Sequence, residues 1–268
     1  IDREIGYRRG EAVNLTGLGN MHSRVGALAQ ARDTYERALP LFRLVGDRRG
    51  EGVALGNLAL VYLQVGALER ARDMSERTLT LKQQIGDRAG QMHTLATLST
   101  ALQELGDLAA ARQYCEQGLA LARQMGSRLD EGFYLLSLAG ILEALPEGLE
   151  AATGACRSAL CLYRELGSEE GVIDCLVELA GLALKQGRDA EALSHIREAL
   201  DWMATHDEQE MSRPVQAYAT AADVLNAAGD AVRAAEALAA AGAWALEHAA
   251  RITDPDMRAG YLAAPLHA

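Results

Sequence analysis

Lysine is nearly missing from this 268-residue chain. Of its 26 basic residues only Lys82 and Lys185 are lysine; the other 24 are arginine. With the heavy alanine content, that usage is expected of a GC-rich bacterial genome. Basic charge is itself short, 26 residues against 37 acidic, for a net charge of −11. A dedicated binder of nucleic acid or of an anionic membrane draws its affinity from neutralised phosphates, so neither partner is expected. Proline is scarce at 5 and aromatics at 4%, which disfavours collagen-like, proline-rich and most all-β folds. No apolar run approaches the roughly 20 residues that span a bilayer, and no signal peptide opens the sequence. The four cysteines, Cys115, Cys156, Cys161 and Cys175, include no C-x-x-C pair, so the reading is of small buried thiols in a reducing cytoplasm. The first residue is Ile1 rather than Met, so a fragment of a longer protein is expected.

What the sequence has is a repeat. Gly6-Tyr7-Arg8-Arg9-Gly10-Glu11 returns as Gly46-Asp47-Arg48-Arg49-Gly50-Glu51, then as Gly86-Asp87-Arg88-Ala89-Gly90-Gln91. Gly126 and Gly167 continue the series. A second series lies midway, at Gly26, Gly66, Gly106, Gly187 and Gly229, with Pro146-Glu147-Gly148 in its fourth place. Between turns the apolar pattern is helical: Leu55, Leu58, Ala59 and Tyr62 fall on one stripe. Glycine ends one helix and a neighbouring Asp or Ser caps the next. Ser127 with Asp130, and Asp207 with Glu210, have the spacing of a capping box. Six helix pairs are expected, at 6–45, 46–85, 86–125, 126–166, 167–206 and 207–248.

The columns down the repeat show what packs. Leu18, Leu58, Leu98, Leu138, Leu179 and Ala221 share one phase, each followed by a small residue: Gly19, Ala59, Ser99, Ala139, Ala180, Ala222. A second-helix column is always alanine, at positions 31, 71, 111, 152, 192 and 234. Small residues let helix backbones approach, so these columns mark the crossing within each pair. A third column, Leu41, Leu81, Leu121, Leu162, Trp202 and Trp244, is apolar throughout and reads as buried core.

These residues resemble the tetratricopeptide repeat. Leu15, Leu18-Gly19, Gly26, Ala31, Tyr35 and Ala38 fall on that family's pattern, as do Leu55, Leu58-Ala59, Tyr62, Gly66, Ala71 and Thr78. The 40-residue period with Gly-Asp-Arg between units is similar to the long-helix subclass of Pins/LGN-type adaptors, and to the repeat regions of bacterial signalling ATPases and transcriptional regulators. The resemblance implies an all-α, right-handed superhelix, an α-solenoid of six helix-turn-helix repeats over 1–250. The family's proline near the unit end is missing; Pro40 instead sits inside a second helix, where it is expected to kink or shorten it. Pro214 delays the sixth pair to about Ser212. Asp254-Pro255 opens a short capping helix within 251–268, whose Met257, Tyr261 and Leu262 are expected to cover the sixth pair. The chain is expected to stop partway through this cap or just after it.

Catalytic and metal signatures are missing. Neither lysine follows a phosphate-loop glycine pattern, and G-x-G-x-x-G, H-E-x-x-H and G-x-S-x-G do not occur. His22 occupies the Tyr62 column and reads as a core imidazole. Glu169-Glu170 and Asp207-Glu208 favour helix N-termini without any substrate. No enzyme and no cofactor are expected. Arg8-Arg9, Arg48-Arg49, Arg88 and Arg128 read as a solvated ridge paired with local Glu and Asp. In the family, first helices line a concave groove. The resemblance therefore offers Asn20, Arg24, Asn57, Leu60, Gln64, Thr97, Thr100, Glu104, Ser137, Gly140, Glu178, Gly181 and Lys185 as binding residues. Small and hydroxyl residues leave room for another chain, and Asn20 and Asn57 suit a peptide backbone. The expectation is a cytoplasmic protein-interaction scaffold binding a peptide, helix or partner domain, within a larger bacterial regulator. A ligand-sensing effector and a spacer or self-association module are the rivals.

Overall fold

The structure, a computed structural model, describes residues 2–206 and 213–263, with side chains from Glu4 onward. Among the described residues there are thirteen helices and no strand. They run in pairs: α1 (Asp2–Arg24) with α2 (Leu28–Leu44), α3 (Arg48–Gln64) with α4 (Leu68–Gln84), α5 (Arg88–Glu104) with α6 (Leu108–Met125). Next come α7 (Arg128–Glu143) with α8 (Leu149–Leu166), α9 (Glu169–Lys185) with α10 (Asp189–Met203), and α11 (Pro214–Ala227) with α12 (Ala231–Ala250). A short α13 (Pro255–Ala263) follows.

The punctuation between helices is local chemistry. After α2, the Gly46 N–H donates to the Arg43 carbonyl at 3.2 Å and the Asp47 N–H to the Phe42 carbonyl at 2.9 Å. This double closure needs a left-handed residue, and Gly46 sits at φ 69°. The Asp47 side chain then accepts the Gly50 N–H at 2.9 Å and starts α3; Asp87 does the same for Gly90 at 3.0 Å. The fourth pair differs. There Glu147 takes the left-handed place at φ 59°, while a Cβ on Gly148 would fall 1.9 Å from the Leu142 carbonyl oxygen. Ser127 also departs from its expected role: its hydroxyl donates to Asp130 at 2.5 Å and accepts no helix N–H. The expected Asp207–Glu210 box and the Asp207-Glu208 pair lie outside the described residues.

The two compact units of the chain are described in turn. The first holds α1 to α5, the first turns of α6, and the segment from Glu247 through α13. Its crossing points follow the small-residue columns: Ala31, Ala71 and Ala111 are fully buried, with Ala59 and Ser99 opposite. Gly19 lies so close beneath the Tyr35 ring that a Cβ there would come within 2.5 Å of it. Between pairs, a large side chain of the second helix sits on a glycine of the next first helix. The Phe42 ring covers Gly50, and the Lys82 stem covers Gly90. Leu58 and Leu98, buried at these junctions, each contribute roughly 1.5–3 kcal/mol of hydrophobic stabilisation. Leu18, expected to pack like them, is instead exposed, because among the described residues no second helix packs on that side of α1.

Lys82 is a cation inside this unit. Its Nζ donates to the Gly90 carbonyl and to the Thr94 hydroxyl oxygen, both at 3.1 Å, and Thr94 in turn donates to Gly90 at 2.8 Å. Burial pushes its pKa down, opposed by the charge of Asp87. Pro40 does not shorten its helix: α2 has 17 residues, as α4 has, and Pro40 faces solvent.

The C-terminal segment corrects an expectation. Ile252, Met257 and Tyr261 are buried in one cluster with Leu28, Ala29 and Val65, so α13 packs on the first two pairs. Leu262 is exposed. Asp254 caps α13 by accepting the Met257 N–H at 3.0 Å and faces Arg32 at 3.6 Å. Gly260 fits because a Cβ there would lie 2.3 Å from the Val65 carbonyl oxygen. The turn edge of pairs one and two offers Met257 and Tyr261 an apolar bed, and Arg32 supplies charge for the cap.

The second unit runs from Cys115 to Leu246. Ala139, Ala152, Ala180 and Ala192 are fully buried at its crossings. Tyr163 covers Gly171 as Phe42 covers Gly50, and Tyr134 stands over Gly118. The Cys115 and Cys156 thiols donate to the Tyr134 and Cys175 carbonyls at 3.4 Å. Cys161 departs from the buried-thiol expectation and is exposed, at 3.5 Å from Glu165. The tryptophans are only half-buried. Trp202 donates to Glu169 at 3.0 Å and stacks on His206, while Trp244 packs with Val215, Ala241 and Ala245. Helix α11 starts at Pro214, two residues later than expected, because proline suits the first helical position.

Two outcomes follow from this packing. Lys82→Met removes a desolvated charge while Thr94 still satisfies Gly90, so stability at neutral pH should hold or rise by about 1 kcal/mol. In the wild type the unfolded chain binds the extra proton, so stability should climb with pH up to the ordinary lysine pKa, and Lys82→Met should flatten that slope in denaturant titrations. A loss above about 2 kcal/mol would show that the ammonium is indispensable to the fold. Gly260→Val should detach α13, read as faster amide exchange at Met257 and Tyr261 with the exchange of α5 unchanged.

Candidate functional site

The first helices carry the expected binding residues, and the two units present them differently. In the first unit the structure brings Asn20 and Asn57 together. Asn20 Oδ1 accepts from Asn57 Nδ2 at 2.8 Å and from the Tyr35 hydroxyl at 2.7 Å. Burial pushes the Tyr35 phenol above its ordinary pKa, so it remains a donor. Two bonds to Oδ1 fix the orientation of the Asn20 amide and turn its NH2 away from them, and the Asn57 carbonyl oxygen is likewise not used in this contact. An amide donor and an amide acceptor thus stand on neighbouring first helices.

Arg24, Leu60 and Gln64 are exposed beside this pair on the same two helices. On α5 the outcome is mixed. Thr97, expected to be open, is buried, with its hydroxyl on the His93 carbonyl at 3.2 Å. Thr100 donates likewise to Ala96 at 3.1 Å. A hydroxyl bonded to its own helix needs no ligand. Glu104 is half-buried, and desolvation raises its pKa.

In the second unit Ser137 bonds back to Phe133 at 2.9 Å, and Lys185 pairs with Glu143 at 2.8 Å. Gly140 and Gly181 leave partly open small-residue positions. Glu178, expected to be exposed, is buried under the start of α11. Asp174, Val177, Arg213, Gln216 and Ala217 surround it in a shallow notch. Its Oε2 accepts from Gln216 at 3.5 Å, while Oε1 has no hydrogen-bond partner among the described residues. Burial pushes the carboxyl pKa up, and Glu143 and Asp174 add to the rise; Arg213 and Lys185 oppose it.

Tyr35, Gln216 and Arg213 were not among the expected site residues. Cross-helix partners sit 37 or 38 residues apart, as in Asn20–Asn57 and Glu178–Gln216, whereas columns compare residues a full period apart. Of the arginine ridge, Arg8 and Arg48 pair within their own helices, with Glu11 at 3.4 Å and Glu51 at 3.7 Å, whereas Arg9 and Arg128 pair 38 and 37 residues along the chain, with Asp47 at 2.7 Å and Glu165 at 2.5 Å. Among the described residues no group of three or more His, Cys, Asp or Glu is placed to hold a metal ion, and no helix is long and apolar enough to cross a membrane.

With this geometry the family assignment rests on a direct match: the tetratricopeptide-repeat family model fits residues 10–84 and 51–124. Residues 10–124 carry tetratricopeptide repeats. Solved structures extend the likeness of fold. A Rap protein complexed with competence and sporulation factor matches with a TM-score of 0.68 at 14% identity, covering 94% of this chain and 71% of that one. The apo form of RapI matches at 0.65 and 13%, covering 90% and 98%. A signal-transduction ATPase with a tetratricopeptide-repeat sensor, from Pyrococcus horikoshii, also matches at 0.65 and 13%, with 90% of this chain aligned to 37% of that one. At these identities the likeness is one of fold alone. No curated protein matches the sequence. Tetratricopeptide repeats are in general non-catalytic modules for protein–protein interaction, and this chain has their architecture.

The buried carboxyl gives this unit a pH signature. A raised folded pKa means the folded state holds its proton longer than the unfolded chain, so stability should fall as pH rises from the ordinary glutamate pKa through the folded one. Glu178→Gln should remove that fall and raise the melting temperature at pH 7 by a few degrees. An unchanged pH profile would show that Glu178 ionises freely.

Proposed function

We propose that this tetratricopeptide-repeat protein is a non-enzymatic scaffold that captures an extended peptide or partner segment on its first helices. The proposed repeats are 6–45, 46–85, 86–125, 126–166, 167–206 and 207–248. The observation that carries the reading is the Asn20–Asn57 pair, held by Tyr35 with one amide donor and one amide acceptor left over. A peptide backbone presents the complementary carbonyl and N–H at every residue, so such a pair reads main chain while neighbouring side chains read sequence. Exposed Leu60 supplies an apolar contact beside it, and Arg24 and Gln64 supply polar ones. The setting proposed is a larger regulator in a bacterial cytoplasm. Arginine in place of lysine supports it, as do the Rap protein with its bound factor and the ATPase with its repeat sensor.

A second reading, a ligand-sensing effector, is favoured by Glu178. A carboxylate oxygen buried without a donor gains most from a ligand that brings a cationic or N–H group. In that reading a small molecule or signalling peptide would raise the melting temperature in a concentration-dependent way.

A displayed random-peptide library selected against the whole chain separates these readings. Peptides recovered on the wild type should bind at least tenfold more weakly to the Asn20→Ala/Asn57→Ala double variant. Equal binding to both proteins would remove the amide pair from the site. Peptides that instead lose affinity on Glu178→Gln alone would favour the second reading.

A further inference from the structure

Glu178 is only 6% exposed, yet its Oε1 has no hydrogen-bond partner among the described residues. Its other oxygen accepts from Gln216 at a long 3.5 Å. A buried carboxylate left in this state is costly to the fold. Two cations stand near, and neither satisfies it. Lys185 pairs with Glu143 at 2.8 Å. Arg213, the residue before α11, lines the notch and its charge acts on Glu178, but its guanidinium gives Oε1 no hydrogen bond.

The neighbours favour a cation over an anion or a neutral donor. Glu143 on α7 and Asp174 on α9 bring negative charge to bear on Glu178. On α8 the Cys156 thiol adds none: it donates to the Cys175 carbonyl at 3.4 Å, and Cys175 and burial hold its pKa far above the ordinary value. Shape narrows the choice. A planar guanidinium already stands at the notch without reaching Oε1, whereas a primary ammonium is compact and carries three donors. Buried Val177 and Ala217 offer apolar walls to a methylene stem. We propose that the notch between α9 and the start of α11 is a subsite for a primary ammonium on an alkyl stem, seated on Glu178 Oε1 with Arg213 turned aside. This rests on the ligand-sensing reading of Glu178 and names the chemistry of its ligand. Ammonium and carboxylate form a hydrogen-bonded ion pair, and the proton that folded Glu178 holds at lower pH leaves to solvent as the ligand enters. Burial, seconded by Glu143 and Asp174, makes the folded carboxyl keep that proton longer than the unfolded one does. Affinity therefore climbs with pH, by about tenfold per unit for one proton, and levels off above the folded pKa. Arg213 repels the incoming cation and so weakens its binding.

The test is calorimetry of n-butylammonium chloride titrated into the whole chain, in phosphate and in HEPES. Saturable binding is expected, with heats that differ between the buffers because a proton is released, and with affinity that rises with pH. Tetramethylammonium carries the charge without an N–H and should bind roughly tenfold more weakly. Glu178→Gln keeps the shape of the side chain and should abolish binding, while Arg213→Ala should tighten it roughly threefold. N-acetyl-lysine methylamide, titrated beside the free amine, distinguishes the source of the ammonium. Equal or tighter binding assigns the subsite to a lysine of a partner peptide and weaker binding to a free amine; either result supports it. No saturable binding, parity of tetramethylammonium with butylammonium, or undiminished binding to Glu178→Gln would overturn the proposal. So would equal heats in both buffers with an affinity flat across pH. If the amines fail while library peptides still lose affinity on Glu178→Gln, this inference falls and the ligand-sensing reading stands.

Discussion

Everything in this fold depends on apolar surface that a helix pair cannot bury by itself. An alanine column sets how closely two helices of a pair approach, but the outer face of each pair is closed only by its neighbour. From pair one to two, two to three and four to five, a long side chain of the second helix rests on a glycine of the next first helix. Phe42, Lys82 and Tyr163 serve that purpose in turn. The chemistry of the long residue varies while the geometry holds, so volume rather than identity fixes the stacking. Removing the glycine at such a junction would drive two backbones apart along the whole crossing.

The polar groups admitted to the interior divide into two kinds. Lys82 is buried but supplied with two oxygen acceptors, and Thr94 shares one of them. The thiols of Cys115 and Cys156 likewise find carbonyls on the next pair. The Ser75 hydroxyl and one Glu178 oxygen are of the other kind, without a partner among the described residues. An unsatisfied buried polar group costs roughly 1–3 kcal/mol. Ser75 stands on a second helix, α4, so only Glu178 carries that cost on a helix of the proposed binding face.

The sequence announced the helices because turn chemistry recurs: a glycine with positive φ about every forty residues, followed by Asp47 or Asp87 as cap in the second and third pairs and by serine in the fourth and fifth. It announced the crossings because alanine is invariant there. It was silent on what covers each first-helix position. Thr97 and Glu178 share a column with Asn57, yet they are buried, since exposure depends on the neighbouring helix and not on phase. The Asn20–Tyr35–Asn57 contact crosses helices at 37 residues' separation, which a column comparison at forty passes over. The site of α13 was also out of reach. Its apolar stripe was plain from Met257 and Tyr261, but many apolar beds were available, and only Gly260 against Val65 and Asp254 against Arg32 distinguish the one it uses.

The scarcity of lysine has a practical consequence. Lys82 is enclosed between α4 and α5, so of the two lysines in these 268 residues an acylating reagent meets Lys185, exposed at the end of α9, in the folded state. Reaction at Lys185 engages no residue of α1. Acylation of Lys82 would report the moment at which α4 and α5 part.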